Sequence, residues 1–298
     1  MTGNTGNTGN TGNTGNTGNT GNAGDPGSGV VFADRAGRPL VNALDPPGTQ
    51  PLPIIAPTPQ GYADRSWAAI WYGWRLMVEF AQAGLIVRNV GTITMPDPPA
   101  DAQADMDALF ALARQERTDA LDEIVAQKDE FISLFMALLN AAPHSRPNTH
   151  RVITGASNIA LYAAMHFKGL FKRQRPFELY PLLLSPVLSP GHASYPSGHA
   201  TQAHLIAHLV GDLVLVNLPA AARNVMTRHL DRLAERIARN REIAGLHHPS
   251  DTAGGRTLAR NIFAAIDQTM QADLGLAPDQ RKLPTLRAAI AAAQEEWP

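Results

Sequence analysis

Lys168 and Arg175 are separated by six residues, and Arg175 is followed by Pro176. A lysine is a point charge and an arginine a planar fork of donors, so together they can hold a tetrahedral anion. Taken alone, such a pair is more often a basic helix end complementing the helix macrodipole. Further along, Ser194-Tyr195-Pro196-Ser197-Gly198-His199 leads into an apolar stretch. A Ser and a Gly at the start of a helix offer a hydroxyl and unhindered backbone N–H groups at the positive end of the dipole, which suits an anion. An ordinary N-cap explains Ser197 but leaves Gly198 and His199 unexplained. His199 beside an anion is placed to give or take a proton, and its ordinary pKa of about 6.5 suits that work.

A third group is Arg241, then His247 after five residues and Asp251 after three more. A carboxylate there can reach one imidazole nitrogen, fix the tautomer and raise the basicity of the other nitrogen. A nucleophilic or metal-bound histidine needs that arrangement. Arg, His and Asp are common on polar helix ends, so this group takes its meaning from the other two.

In this order, the patterns KxxxxxxRP, PSGH and RxxxxxHxxxD resemble the signature of the type 2 phosphatidic acid phosphatase (PAP2) and vanadium haloperoxidase superfamily, over residues 168–251. Asn240 departs from it, since the family usually has Ser before the third-pattern arginine; an amide still hydrogen-bonds, which leaves only local packing in question. The resemblance implies that Lys168, Arg175, Ser197, Gly198 and Arg241 grip the oxyanion. Three cations around one tetrahedral group stabilise the extra charge of a trigonal-bipyramidal transition state. It further implies that His247 attacks phosphorus to form a phosphohistidine, that Asp251 orients it, and that His199 protonates the departing alkoxide and later activates water.

The phosphatase version takes a small-molecule phosphate ester and needs no cofactor. In the haloperoxidase version vanadate is the cofactor, with His247 as its apical ligand, and halide and hydrogen peroxide are the substrates. His192, seven residues before His199, stands at the offset of a second histidine in the bromoperoxidase loop, where it would support the site from behind. Its plain alternative is a loop histidine facing solvent or bonded to a backbone carbonyl. The chain is shorter than the algal haloperoxidases, and its Lys-to-Arg spacing is that of phosphatases and chloroperoxidases, which favours the phosphatase. A helical module that binds anions or partners without turnover is the remaining alternative.

These residues must be positioned by helices. Apolar residues recur at three-and-four spacing over 67–85, 102–117, 119–142, 148–172, 199–217, 219–246 and 250–274, and more weakly over 279–297. Asn148 and Ser250 suit N-caps, Pro219 a first helical position, Pro176 the end of the helix before it, and Gly275 a C-terminal stop. Alternating β-branched runs are scarce. The expectation is an all-α bundle of seven or eight helices, by resemblance of the acid phosphatase and vanadium haloperoxidase type, over 67–298. Before it, 1–29 should form a disordered tail dominated by Thr-Gly-Asn repeats, which lack the apolar surface to offset ordering and, without proline, make a poor collagen. Residues 30–66, rich in Pro and Gly, should run as an extended arm.

The 25 basic and 26 acidic residues leave a formal net charge of -1, which argues against a protein that coats nucleic acid or an anionic membrane, and so against a nucleic-acid partner. With no cysteine, a disulfide framework, a thiolate metal site and a cysteine nucleophile are excluded. The start has no Sec signal pattern. The most apolar stretches, 153–165 and 205–216, are interrupted by Asn158, His208 and Asp212 and are too short to span a bilayer. The reading is therefore a protein without a transmembrane segment, cytoplasmic, although one processed from a longer precursor reads the same. An integral-membrane lipid phosphatase is disfavoured, and a homo-oligomer is compatible with the sequence. His204 and His208 have the spacing of a metal pair but no third ligand, so core or surface positions are expected. His248 is read as a bystander, and Trp67, Trp71 and Trp74 as core anchors.

Overall fold

The computed structural model describes residues 62–86 and 91–297, and among these there is no strand. The helices are α1 (Ala69–Gln82), α2 (Gln103–Gln115), α3 (Arg117–Ala126), α4 (Ile132–Leu138), α5 (Pro147–Phe171), α6 (Pro176–Leu179), α7 (Gly198–His208), α8 (Ala220–Ile243), α9 (Pro249–Ala272) and α10 (Pro284–Gln294). The all-α class is as expected. The repeat tail and nearly all of the Pro-rich arm lie outside the described residues; of the arm, Asp64–Ser66 form a 3₁₀ turn.

α7 is the hub, packed by α5, α8 and α9, and its residues from Gly198 to Ala207 are all buried. A helix without a polar face belongs inside a bundle. α5 packs on α1 and α10 as well as on α7. The α1–α5 approach is close because Gly73 faces Asn158 and Thr154, and Gly155 faces Leu76, with no room for a Cβ at either glycine. Leu76, Phe80, Phe131, Phe135, Ile153, Ile159 and Leu205 fill the core, each contributing roughly 1.5–3 kcal/mol by burial.

Several local expectations change. The helix expected over 119–142 breaks into α3 and α4, because Phe131 and Ile132 turn inward and the Glu130 carboxylate accepts the Ser133 N–H at 2.8 Å, restarting the helix. Asn148 is not an N-cap: Pro147 takes the first turn of α5, and Glu296 accepts the N–H groups of Asn148 and Thr149, each at 2.8 Å. Likewise Pro249 opens α9 in place of a Ser250 cap, and the Asp251 carboxylate accepts the His248 N–H at 2.9 Å. α5 ends before Pro176, at a left-handed Lys172, and Pro219 stands just before α8. Gly275 adopts φ +87°, a left-handed turn beyond α9.

Trp71 and Trp74 are not core anchors, being 58% and 39% exposed. α1 buries the face carrying Ile70, Tyr72, Gly73, Leu76 and Phe80, which turns those two indoles outward.

Candidate active site

Three distant stretches of chain are stitched together by backbone. The Ser194 N–H donates to the Arg173 carbonyl and the Ser197 N–H to the Asp251 carbonyl, both at 2.9 Å. Arg175 sits between α5 and α6 and reaches the third stretch, its Nη1 donating to the Leu246 carbonyl at 2.8 Å. Lys168, in the last turn of α5, donates through Nζ to the carbonyls of Ala193 at 2.8 Å and Ser194 at 2.6 Å.

Lys168, Arg175 and Arg241 are 1%, 2% and 1% exposed. Burying cations is expensive unless negative charge accompanies them. Arg241 Nη2 donates to the Ile124 carbonyl at 2.8 Å, while Nε and Nη1 are buried with no partner among the described residues. Two such donors beside two further cations suit a tetrahedral oxyanion, and phosphate and vanadate fit that donor set equally.

Burial pulls Lys168 well below the usual lysine range and lowers Arg175 and Arg241 to about 10. His199, whose Nε2–H donates to the Gln127 carbonyl at 3.0 Å, is lowered to about 3 by burial and then by the charge of Arg241, with Arg175 and Lys168 adding to it. His247 lies well below the ordinary histidine value: burial dominates, the bond it donates to Asp251 opposes it, and Arg175 and Lys168 reinforce it. Arg175 and Lys168 thus act on both imidazoles, as expected of groups gathered at one place.

His247 Nδ1 stands 3.2 Å from Asp251 Oδ2. A carboxylate accepts, so Nδ1 carries the proton and Nε2 keeps its lone pair. Burial raises the Asp251 carboxyl, but the bonds from His247 and Ser194 and the charge of Arg173 outweigh it and hold the group well below the usual carboxylate range.

Ser197 caps α7, its Oγ accepting the Ala200 N–H at 3.4 Å. Gly198 opens that helix with nothing within 4 Å of where a Cβ would stand, so its backbone is approachable. α9 presses on this turn. A Cβ at Gly254 would collide with the Tyr195 ring, and one at Gly255 would lie 2.7 Å from Ala200 Cβ and 2.8 Å from the Ser197 carbonyl. Asn240 donates to Gln127 Oε1 at 2.9 Å and to Glu123 Oε2 at 3.0 Å, which ties α8 to the C-terminal end of α3, where the carbonyls of Ile124 and Gln127 receive Arg241 and His199.

The residues singled out from sequence therefore converge. His192 supports Arg175: its carbonyl accepts from Nε at 2.7 Å and its Nδ1 from Nη2 at 3.0 Å, and burial, then Lys168, lower it to about 4. His204 and His208 face Glu235 at 3.6 Å and Asp212 at 3.8 Å, and no potential metal cluster of three or more such side chains occurs among the described residues. His248 is buried, its Nε2 donating to the Gln174 carbonyl at 3.3 Å.

Sequence reasoning passed over Arg173, Ser194, Asp105 and Gln127. Ser194 donates from Oγ to Asp251 Oδ2, and Arg173 donates from Nη1 to Asp251 Oδ1 at 2.7 Å. Both lie inside or beside the patterns already noticed, and proximity to them was the available signal. For Asp105 and Gln127, far off in sequence, there was none.

No family model matches the chain. It is 32% identical over 135 residues to the decaprenylphosphoryl-5-phosphoribose phosphatase of Mycobacterium tuberculosis, in strains CDC 1551 and H37Rv, a match spanning 45% of this chain and 69% of the relative. Among solved structures it is similar to a transmembrane PAP2-type phosphatidylglycerolphosphate phosphatase from Bacillus subtilis, with TM-score 0.36 and 14% identity, covering 68% of this chain and 88% of that one. The cytoplasmic location expected from the sequence is overturned by the mycobacterial relative, which is named for a decaprenylphosphoryl substrate, a lipid-linked phosphate. The expectation rested on the lack of a span, and a missing span is not an address; no described helix is long and apolar enough to cross a membrane. With 32% identity across 69% of a phosphatase and its three residue patterns gathered in one buried site, the chain belongs to the PAP2-like phosphatase superfamily.

Proposed function

We propose that this protein hydrolyses phosphate monoesters through a phosphohistidine on His247, without a cofactor. The observation that carries the reading is the pair of buried, unpartnered Arg241 donors in a site that also holds Lys168, Arg175 and the His247–Asp251 couple. Lys168, Arg175, Ser197, Gly198 and Arg241 hold the phosphoryl oxygens. His247 Nε2 attacks phosphorus, the ester P–O bond breaks, and His199 gives its proton to the departing alkoxide. His199 then takes a proton from water, which attacks the phosphohistidine and releases inorganic phosphate and free His247. Burial and, after it, the neighbouring cations keep His199 neutral; a bound dianion offsets the cations and so favours the protonated ring that the first step consumes.

The substrate we infer is amphiphilic and presented at a membrane surface. Residues 176–190, which directly follow Arg175, contain one charged residue, Glu178. In that segment Leu182 and Leu184 are each 72% exposed and Leu188 is 83% exposed. Such a rim suits an acyl or prenyl chain beside a buried phosphate pocket, and the mycobacterial relative is named for a decaprenyl phosphate. The haloperoxidase alternative drew on His192, whose Nδ1 is engaged with Arg175, and no observation favours it.

The test is turnover of an aryl phosphate and of a polyprenyl phosphate in vesicles, with a rapid quench in alkaline detergent to trap a base-stable phosphoenzyme that is then lost on acid treatment. We expect metal-independent hydrolysis, inhibition by vanadate, and loss of turnover and phosphoenzyme in His247→Ala. Full turnover in that variant removes the covalent mechanism; bromide oxidation by peroxide with vanadate, and no hydrolysis, replaces the phosphatase altogether.

A further inference from the structure

Arg173 lies between Lys168 and Arg175 in sequence, yet its guanidinium is engaged by Asp251, Ser250 and Asp105. Its side chain is 9% exposed and sits between two carboxylates. Nη1 donates to Asp251 Oδ1 at 2.7 Å and to Ser250 Oγ at 2.6 Å, and Nη2 donates to Asp105 Oδ2 at 3.0 Å. Asp105, in the first turn of α2, also accepts the Ser250 N–H at 3.2 Å and the Ser250 hydroxyl. Asp251 Oδ2, the oxygen on the other side of the same carboxylate, receives His247 Nδ1, the His248 N–H and Ser194 Oγ.

We propose that Arg173, anchored by Asp105, is the positioning residue that fixes the rotation of the Asp251 carboxylate and thereby aims the His247 lone pair at phosphorus. The inference rests on the phosphohistidine reading and deepens it. An Arg that served the substrate directly would point its donors into the cavity. This one spends both Nη groups on carboxylates, in an arrangement rigid enough to set an angle. A carboxylate with one oxygen held by a guanidinium cannot swing, so its other oxygen stays on Nδ1. The burial of the Asp251 side chain, 0% exposed, means that no water replaces Arg173 as a donor if it is lost.

Arg173→Gln and Asp105→Asn separate this role from anion binding and from folding. ¹⁵N-histidine NMR on the full chain, with the His247 ring assigned by its absence in His247→Gln, reads the Nδ1–H bonded to Asp251 without requiring turnover. We expect that signal in the unaltered protein, its loss or rapid exchange in Arg173→Gln, and an intermediate effect in Asp105→Asn, which leaves the guanidinium in place. An unchanged signal in both variants overturns the proposal. In parallel, aryl phosphate kinetics should show kcat down tenfold or more in Arg173→Gln with KM and the inhibition constant of inorganic phosphate within twofold, and partial recovery in Arg173→Lys. In an Asp251→Asn background, Arg173→Gln should cost nothing further, because both changes break one unit. Equal losses in the two backgrounds, or a loss expressed in KM, also overturn it. If the unaltered protein shows the Nδ1–H signal but hydrolyses nothing, the phosphatase reading fails while the positioning result stands.

Discussion

Asp251 holds His247 from one oxygen, with Nδ1 and Oδ2 3.2 Å apart, while its other oxygen is fixed by Arg173 at 2.7 Å. The orientation of the proposed nucleophile therefore depends on a carboxylate whose two oxygens both accept from protein donors. Asp251→Asn keeps the size but loses the charge and permits the wrong tautomer, so kcat should fall by roughly 10²–10⁴ with little change in KM. Steady-state kinetics on an aryl phosphate check this; a loss below fivefold would show that His247 needs no oriented partner.

The buried cations make the protein's stability depend on anions. An oxyanion that binds only the folded state stabilises it by about 2.7 kcal/mol at a hundred times its Kd. Inorganic phosphate or vanadate should therefore raise Tm by several degrees at concentrations where chloride at equal ionic strength does not. In Arg241→Met, which removes the unpartnered donors, that rise should shrink to less than half. A phosphate effect that Arg241→Met leaves intact would place the anion elsewhere.

Acid should weaken both the fold and the reaction, in separable windows. Burial lowers His199 to about 3, and His192 and His204 to about 4. These rings are neutral in the folded protein, whereas the unfolded chain takes up their protons near 6.5. The unfolded state binds more protons throughout that interval, so stability is full above about 6.5 and is lost progressively as pH falls toward about 4. Asp251, held below its ordinary value, adds a further loss at lower pH still. Scanning calorimetry should show Tm constant from pH 8 to 7 and falling by several degrees by pH 5; a flat profile to pH 5 contradicts the neutral rings. Because His247 must be unprotonated to attack and its pKa is lowered, the acid limb of kcat/KM assigned to the enzyme should lie below pH 6.5.

Gly255→Ala places a methyl 2.8 Å from the Ser197 carbonyl and 2.7 Å from Ala200 Cβ, atoms of the turn that opens α7. Overpacking of this kind costs about 1–3 kcal/mol. The variant should lose stability and, by displacing Ser197 and Gly198, at least tenfold in kcat/KM. Urea unfolding with parallel kinetics checks both; a stability loss with full activity would mean that the turn does not bind substrate.

The helices and the gathered site were largely legible in the sequence, for physical reasons. Lys168, Arg175, Ser197, His199, Arg241, His247 and Asp251 stand in three patterns whose order resembles the family signature, and α5, α7, α8 and α9 show long periodic apolar patterns. The pairing of Arg173 with Asp105 was not legible, since it joins residues 68 positions apart and leaves no local pattern. The break between α3 and α4 was hidden because Phe131 and Ile132 continue the apolar spacing while Glu130 restarts the helix. Trp71 and Trp74 misled because bulk suggests burial, whereas the stripe through Leu76 and Phe80 decides which face turns inward. Location was misjudged because hydropathy reports spans and is silent on surface attachment.

Glu296 accepts the N–H groups of Asn148 and Thr149, residues 148 and 147 positions before it. During synthesis α5 emerges from the ribosome early, yet those donors wait for a carboxylate translated near the end of the described chain. The helix that carries Lys168 is thus closed by a side chain translated 148 positions after Asn148, and a shorter nascent fragment can hold all three sequence patterns without the finished beam that supports them.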